Sequence, residues 1–397
     1  FGHLSRFVYF FNFYPPSQAQ GLPQAYHDIS DGGLLATVAE MQFTARLAID
    51  LHLTSDNTLG ELFAEELGAV VQVLPEHSAD FLDLAQEYKV SELLTQIGQT
   101  FETALGGNDE DILSINSPSF NGEFARSDLQ REWSKVSYNI AKLRDNPRCA
   151  EQEFALIDDI DYHGLQASAN YDLNQAIEAP YIANQQVAPK VAILREQGVN
   201  GQLEMAAGFT LAGFTAVDVH MSDLLAGRVN LRDFHGLVAC GGFSYGDVLG
   251  AGTGWANSIL FSDNLSTQFA QFFHRPETFA LGVCNGCQMM AQLKSLMVGA
   301  EHFPRFIANK SARFEARTVN VRVERTKSVL LKGMQDSILP IAIAHGEGYA
   351  DLSEASATAL AQHGQIALRY VDSQGNPTEH YPCLLYTSDA ADERSSV

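Results

Sequence analysis

Between residues 19 and 112 the apolar positions switch period several times. Leu34, Leu35, Val38, Ala39 and Met41 recur at helical spacing behind Asp31-Gly32-Gly33, whereas Leu67 to Leu74 (LGAVVQVL) is a short β-rich run. That mixture predicts an α+β domain over 19–112. From 113 the character changes: Trp133, Val136, Ile140 and Leu143 mark a helix that stops at Asp145-Asn146-Pro147, and an acidic stretch rich in Gln and Asn follows. Residues 113–188 are therefore expected to form a helical, acidic connector. From Lys190 onward strand, glycine turn and helix alternate, with β-rich runs at VAILREQG (191–198), TAVDVHM (215–221), HGLVACGG (235–242) and TFALGVC (278–284). This spacing predicts α/β architecture, a doubly wound, Rossmann-like domain on a parallel sheet.

Composition sharpens this picture. A chain of 397 residues, 46% apolar, buries two or three cores of ordinary size. Its net charge of −23 leaves no basic surface for duplex DNA or anionic lipid, which argues against nucleic-acid and membrane partners. The charge is uneven, −19 up to residue 188 and −4 beyond it, as expected of two different halves. Cysteines at 149, 240, 284, 287 and 383 lack the spacing of a disulfide framework or a zinc site, so a reducing, cytoplasmic setting is expected. The apolar run Phe7 to Tyr14 is too short for a bilayer, which takes about 20 residues. No initiator Met precedes it, and residues 1–18 receive no assignment. The closing stretch 383–397, CLLYTSDAADERSSV, reads as a translated sequencing adapter, which would remove Cys383 from the chemistry.

One segment carries nucleophile chemistry. Leu281-Gly282-Val283-Cys284-Asn285-Gly286 closes an apolar strand and opens the helical run Met289 to Leu293, the thiol version of the nucleophile elbow. Such a turn projects its central side chain clear of the sheet, and a helix N-terminus favours the reactive thiolate. Cys284 is the candidate, and Cys287 would lie inside the helix. A second glycine turn, Cys240-Gly241-Gly242-Phe243-Ser244-Tyr245-Gly246-Asp247, follows another strand and offers backbone N–H groups for an oxyanion. His345 and Glu347 in Ala344-His345-Gly346-Glu347-Gly348 are candidates for a base or for a substrate-positioning loop.

GVCNGCQMM, ACGGFSYGDVLGAG, VAILREQGVN and IAHGEG together resemble the class I glutamine amidotransferase domain of the phosphoribosylformylglycinamidine synthase family, in its large single-chain form. LRDNPRCAEQE (143–153) and HDISDGGLLATVAEM (27–41) extend the resemblance over most of 19–382. It implies Cys284 as nucleophile, Gly242 and Phe243 in the oxyanion and glutamine loop, and Gln288 as a glutamine contact. His345 and Gly346 then fall in a glutamine-binding loop, because the family's catalytic His and Glu belong to a later His-Pro-Glu motif that this chain does not contain. The expected layout is a synthetase piece (19–112, the C-terminal type of AIR synthase domain), the connector (113–188) and an amidotransferase domain (189–382) truncated before that motif. The chain would thus be the C-terminal part of a larger synthase, with impaired activity on its own.

Tyr26-His27-Asp28-Ile29-Ser30-Asp31-Gly32-Gly33 places carboxylates, a hydroxyl and two glycines before a helix. Ser or Asp in that position ordinarily caps the helix. The resemblance implies instead one edge of an ATP site, with Asp28 as a Mg²⁺ ligand and Ser30 as an ATP contact. Residues 1–112 hold only Arg6, Arg46 and Lys89 as cations, so most of a triphosphate site would come from the missing N-terminal synthetase part of the same polypeptide. The implied reaction consumes formylglycinamide ribonucleotide, glutamine and ATP and yields formylglycinamidine ribonucleotide. The rival readings are a stand-alone cysteine hydrolase of similar fold and a catalytically dead scaffold.

Overall fold

The computed structural model describes residues 2–101, 111–162, 164–173, 188–378 and 380. They divide into two units, one of residues up to 140 plus 154–160 and one of 141–153 plus those from 161 onward. The expected tail 383–397, Cys383 included, lies outside the described residues, as do positions 174–187 of the expected connector.

The first unit runs through α1 (Gly2–Ala19), β1 (Pro23–Ile29), α2 (Gly33–Ala45), β2 (Ala48–His52), α3 (Thr58–Phe63), β3 (Gly68–Val73), α4 (Ser78–Glu87), β4 (Gly98–Phe101), β5 (Ile112–Asn116) and β6 (Asn121–Ala125). The unassigned start is thus a helix, and it is held by aromatic packing: Phe13 is fully buried and meets Phe81 of α4 edge-on at 5.1 Å. β1 pairs antiparallel with β3, and a second sheet has the order β4-β2-β5-β6 with β2 and β5 parallel. Leu51, Leu113 and Ile115 share one face of that sheet and pack against Leu34 and Val38 of α2 and Leu62 of α3. Each such burial contributes about 1.5–3 kcal/mol.

This corrects the connector expected over 113–188. β5 and β6 belong to the first unit's sheet, with Ile49 opposite Leu113 and Leu113 opposite Phe124. Only Leu113 and Ile115 of β5 turn inward, so the alternating polar residues dilute the apolar signal. Next come α5 (Arg126–Arg144) and α6 (Pro147–Ala155). The apolar stripe of α5 faces outward: Trp133 is 60% exposed and Leu143 89%.

The second unit contains β7 (Lys190–Arg195), α7 (Gln202–Leu211), β8 (Thr215–His220), α8 (Met221–Leu225), β9 (Gly236–Ala239), α9 (Thr253–Leu260), α10 (Asp263–His274), β10 (Phe279–Gly282) and α11 (Asn285–Gln292). β11 (Arg305–Ile307), β12 (Glu315–Val323), β13 (Ile338–His345), β14 (Tyr349–Asp351), α12 (Glu354–Gln362) and β15 (Leu368–Tyr370) complete it. The central sheet, β10-β9-β7-β8, is parallel throughout, as the repeated strand, turn and helix pattern predicts. Val191 to Leu194 and Leu237 to Ala239 are fully buried, the mark of strands covered on both faces. The strand order reverses between β7 and β9, and a ligand crevice in such a sheet opens at the carboxyl ends beside that reversal. β13-β12-β15 form a separate antiparallel sheet.

Candidate active site

Cys284 occupies the turn from β10 into α11 with φ 51° and ψ −112°. Only glycine adopts that conformation without strain, and a non-glycine residue held there costs roughly 1–3 kcal/mol. The turn closes tightly: a Cβ on Gly286 would stand 2.1 Å from the Ala239 carbonyl oxygen of the neighbouring strand, so the strand-to-helix corner tolerates only glycine there. Cys284 is exposed, whereas Cys149, Cys240 and Cys287 are buried. Burial pushes the Cys240 thiol up to about 11 and also raises Cys149. Of the described cysteines, Cys284 therefore combines access with a helix N-terminus. Its thiol donates to the Ala344 carbonyl oxygen at 3.6 Å.

The second glycine turn lies directly beside this residue. A Cβ on Gly241 would approach Cys284 Cβ to 3.2 Å, and Gly242 (φ 137°) runs so close to Gly198 and Val199 that a Cβ would meet both at 2.6 Å. The turn is locked to the segment after β7 by Asn200 N–H to Gly241 O (2.9 Å), Phe243 N–H to Gly198 O (2.8 Å) and Tyr245 N–H to Gln197 O (3.0 Å). The Phe243 amide is thus committed to Gly198 while its ring stands out from the protein, 54% exposed. Tyr245 is pushed up to about 12, first by burial and then by the Glu196 carboxylate that its hydroxyl meets.

Fully buried Asn285 joins the two turns. Its Oδ1 accepts the Ser244 N–H (3.1 Å), and its Nδ2 donates to Asp247 Oδ1 (2.8 Å) and Gln288 Oε1 (3.2 Å). Asp247 Oδ1 also accepts the Gly252 N–H at 3.2 Å.

The 344–348 loop closes the site from the end of β13. Gln288 Nε2 donates to the Glu347 carbonyl oxygen (2.7 Å), and Glu347 Oε2 accepts the Ala251 N–H (2.9 Å). His345 Nδ1 lies 3.1 Å from Asn309 Oδ1. Gly346 leaves open space above it, its nearest neighbour for an added Cβ being the Phe314 ring at 3.8 Å. Cys284, Gly242, Phe243, Gln288, His345 and Gly346 therefore come together at one end of the second unit. Asn285, Asp247 and Asn309 were not among the candidates; each acts through hydrogen bonds across dozens of residues, for which a sequence carries no local signal.

In the first unit, Asp28 lies on β1 with its carboxylate 70% exposed, and His27 Nε2 meets Glu40 Oε2 at 2.7 Å. Neither Ser30 nor Asp31 caps α2. The N-cap is Gly32 (φ 87°) with no side-chain cap, and its N–H donates to Glu65 Oε1 at 3.0 Å. A Cβ on Gly33 would strike the backbone of Leu62 and Phe63 at 2.8 Å. Arg46 is engaged by the carbonyls of Leu156 and Asp159. Among the described residues no group of three or more His, Cys, Asp or Glu side chains is gathered to hold a metal ion, and no helix is long and apolar enough to cross a membrane. A cleft of about 510 Å³ on the outer face of the β4-β2-β5-β6 sheet, lined by Asp50, Phe101, Ser114, Asn116 and Glu123 among others, includes none of these residues.

Comparison with known proteins gives two matches along the chain. Residues 188–384 match the CobB/CobQ-like glutamine amidotransferase domain, and residues 15–107 match the C-terminal domain of AIR synthase related proteins. Among solved structures, that of PurLQS from Thermotoga maritima is similar over 48% of this chain and 81% of that chain, at 21% identity and a TM-score of 0.38.

Proposed function

The chain is of the formylglycinamidine ribonucleotide synthase type, an AIR synthase related C-terminal domain followed by a CobB/CobQ-like glutamine amidotransferase domain, and from that premise we propose that Cys284 releases ammonia from glutamine for an ATP-dependent amide-to-amidine conversion. The observation that carries the reading is the exposed Cys284 on its strained turn, flanked by the Gly241-Gly242 turn and facing the 344–348 loop.

The Cys284 thiolate attacks the carboxamide carbon of glutamine. The C–N bond breaks as ammonia leaves with a proton, and water then cleaves the γ-glutamyl thioester to glutamate and the free thiol. The carbonyl oxygen gains charge during attack. Because Phe243 has given its N–H to Gly198, the stabilising donors at hand are the Gly242 N–H and the Asn285 N–H, the latter the first of α11 and without an intrahelical acceptor. Gln288 and the 345–348 backbone hold the amino-acid end of the substrate.

In the first unit, an exposed carboxylate on Asp28 and a helix start without a side-chain cap suit one edge of a magnesium–nucleotide site. Asp28 would hold Mg²⁺ and Ser30 a phosphate oxygen. Bound Mg-ATP would supply phosphoryl activation of the amide oxygen of formylglycinamide ribonucleotide, which ammonia then displaces to give formylglycinamidine ribonucleotide, ADP and phosphate. The remaining cationic contacts would come from a synthetase part outside this sequence, and the unbridged cysteines suit a reducing cytoplasm. A stand-alone hydrolase would have no use for the synthetase-type domain at 15–107.

The test is treatment with a diazoketone analogue of glutamine followed by peptide mass spectrometry. One adduct on Cys284, absent from Cys284→Ser and suppressed by glutamine, is expected. Labelling that glutamine does not suppress, or that falls on another cysteine, would overturn the reading.

A further inference from the structure

Asn309 makes every hydrogen bond that its side chain has to offer, and nearly all of them go to one loop. It is 5% exposed. Nδ2 donates to the His345 carbonyl oxygen (2.8 Å) and to the Arg313 carbonyl oxygen (3.0 Å), while Oδ1 accepts the Gly348 N–H (2.8 Å) and faces His345 Nδ1 (3.1 Å). Its backbone N–H donates to the Gly346 carbonyl oxygen at 2.9 Å. Residues 345, 346 and 348 are thus all bonded to Asn309, and the one between them, Glu347, is bonded to Gln288 and Ala251. The residue before them, Ala344, presents the carbonyl that the Cys284 thiol meets.

The turn that carries Asn309 is itself anchored. Asn146 N–H donates to Ser311 O (3.1 Å) and Asn146 Nδ2 to Lys310 O (2.9 Å). Arg313 bridges Asp145 (3.3 Å) and Glu315 (3.1 Å). Within this turn Ala312 holds a left-handed backbone, at φ 61°.

We propose that Asn309 is the positioning residue of the glutamine loop: it sets the 345–348 backbone for the amino-acid end of the substrate while Cys284 does the chemistry. The inference rests on the glutamine reading of the site. Asn309 touches neither the thiol nor the reacting carbon, so its effect falls on recognition of glutamine and not on the intrinsic reactivity of the thiol. Asn309→Asp is the sharpest probe. It is isosteric and still accepts the Gly348 N–H, but it loses both donors and turns an oxygen toward the carbonyls of Arg313 and His345.

The experiment measures inactivation of Cys284 in the whole chain by the diazoketone glutamine analogue, alongside alkylation by iodoacetamide, which needs no glutamine loop. Asn309→Asp is expected to raise the half-saturating analogue concentration about tenfold or more, the equivalent of one lost hydrogen-bonding contact, with the limiting rate and the iodoacetamide rate within about threefold of wild type. Asn146→Ala, which releases Lys310 without touching the loop, is expected to shift it in the same direction by about threefold, and it decides the matter if Asn309→Asp does not fold. Unchanged half-saturation in a folded variant, or parallel loss of both reactions, would overturn the proposal. A wild-type chain that takes iodoacetamide but not the diazoketone would overturn the glutamine reading, and the inference with it.

Discussion

At the scale of single residues, Cys284 is the point where strain and the proposed chemistry coincide. Its backbone, at φ 51° and ψ −112°, lies where a side chain is a liability, and the corner is held only because Gly286 lets α11 pack against Ala239. The conformation therefore serves the projection of the thiol and not the stability of the fold. Cys284→Gly should be more stable than Cys284→Ala by roughly 1–2 kcal/mol in urea unfolding, because both lack the thiol and only glycine relieves the strain. Equal stability of the two variants would show that the turn stores no strain. The buried thiols behave in the opposite way: with Cys240 pushed up to about 11 by burial, its thiolate is scarce at neutral pH.

At the scale of elements, the parts most legible in the sequence are those whose signal is local. β7 to β10 read clearly because strands buried on both faces are continuous apolar runs, and the elbow reads clearly because two glycines flank a cysteine at fixed offsets. β5 and β6 did not, since β5 takes its place by pairing with β2 across intervening elements. Nor did Asn285 and Asn309, whose partners lie 41 and 36 residues away. The capping role ordinary for Ser30 or Asp31 is not taken up, because Gly32, with a left-handed backbone, occupies the N-cap of α2. The start of β12 carries a testable charge network. Burial works against ionised Glu315, yet the hydrogen bonds and positive charges of Arg313 and Arg317 hold its carboxyl below the usual glutamate range. A lowered native value makes this stabilisation fully present above the unfolded value and lost as pH falls through the native one. Glu315→Gln should therefore flatten the fall in melting temperature of the second unit between about pH 5 and pH 3. A variant with the same acid sensitivity as wild type would contradict the assignment.

At the scale of the whole molecule, two units on one chain hold two different candidate sites. The −19 stretch up to residue 188 contains the HDISDGG motif, and the nearly neutral remainder contains the cysteine elbow. In the first stretch Arg46 is bonded to the backbone carbonyls of Asp159 and Leu156. The His345 ring is directed to Asn309.

Acylation of Cys284 by glutamine itself tests the central claim most directly. The chain is incubated with isotopically labelled glutamine, quenched in acid and digested, and the peptides are analysed for a hydroxylamine-sensitive γ-glutamyl adduct while released ammonia is counted. The account predicts an adduct on the Cys284 peptide, with about one ammonia released per adduct formed, and neither signal from Cys284→Ser. Ammonia released at the same rate by Cys284→Ser, or an adduct confined to another residue, would contradict it.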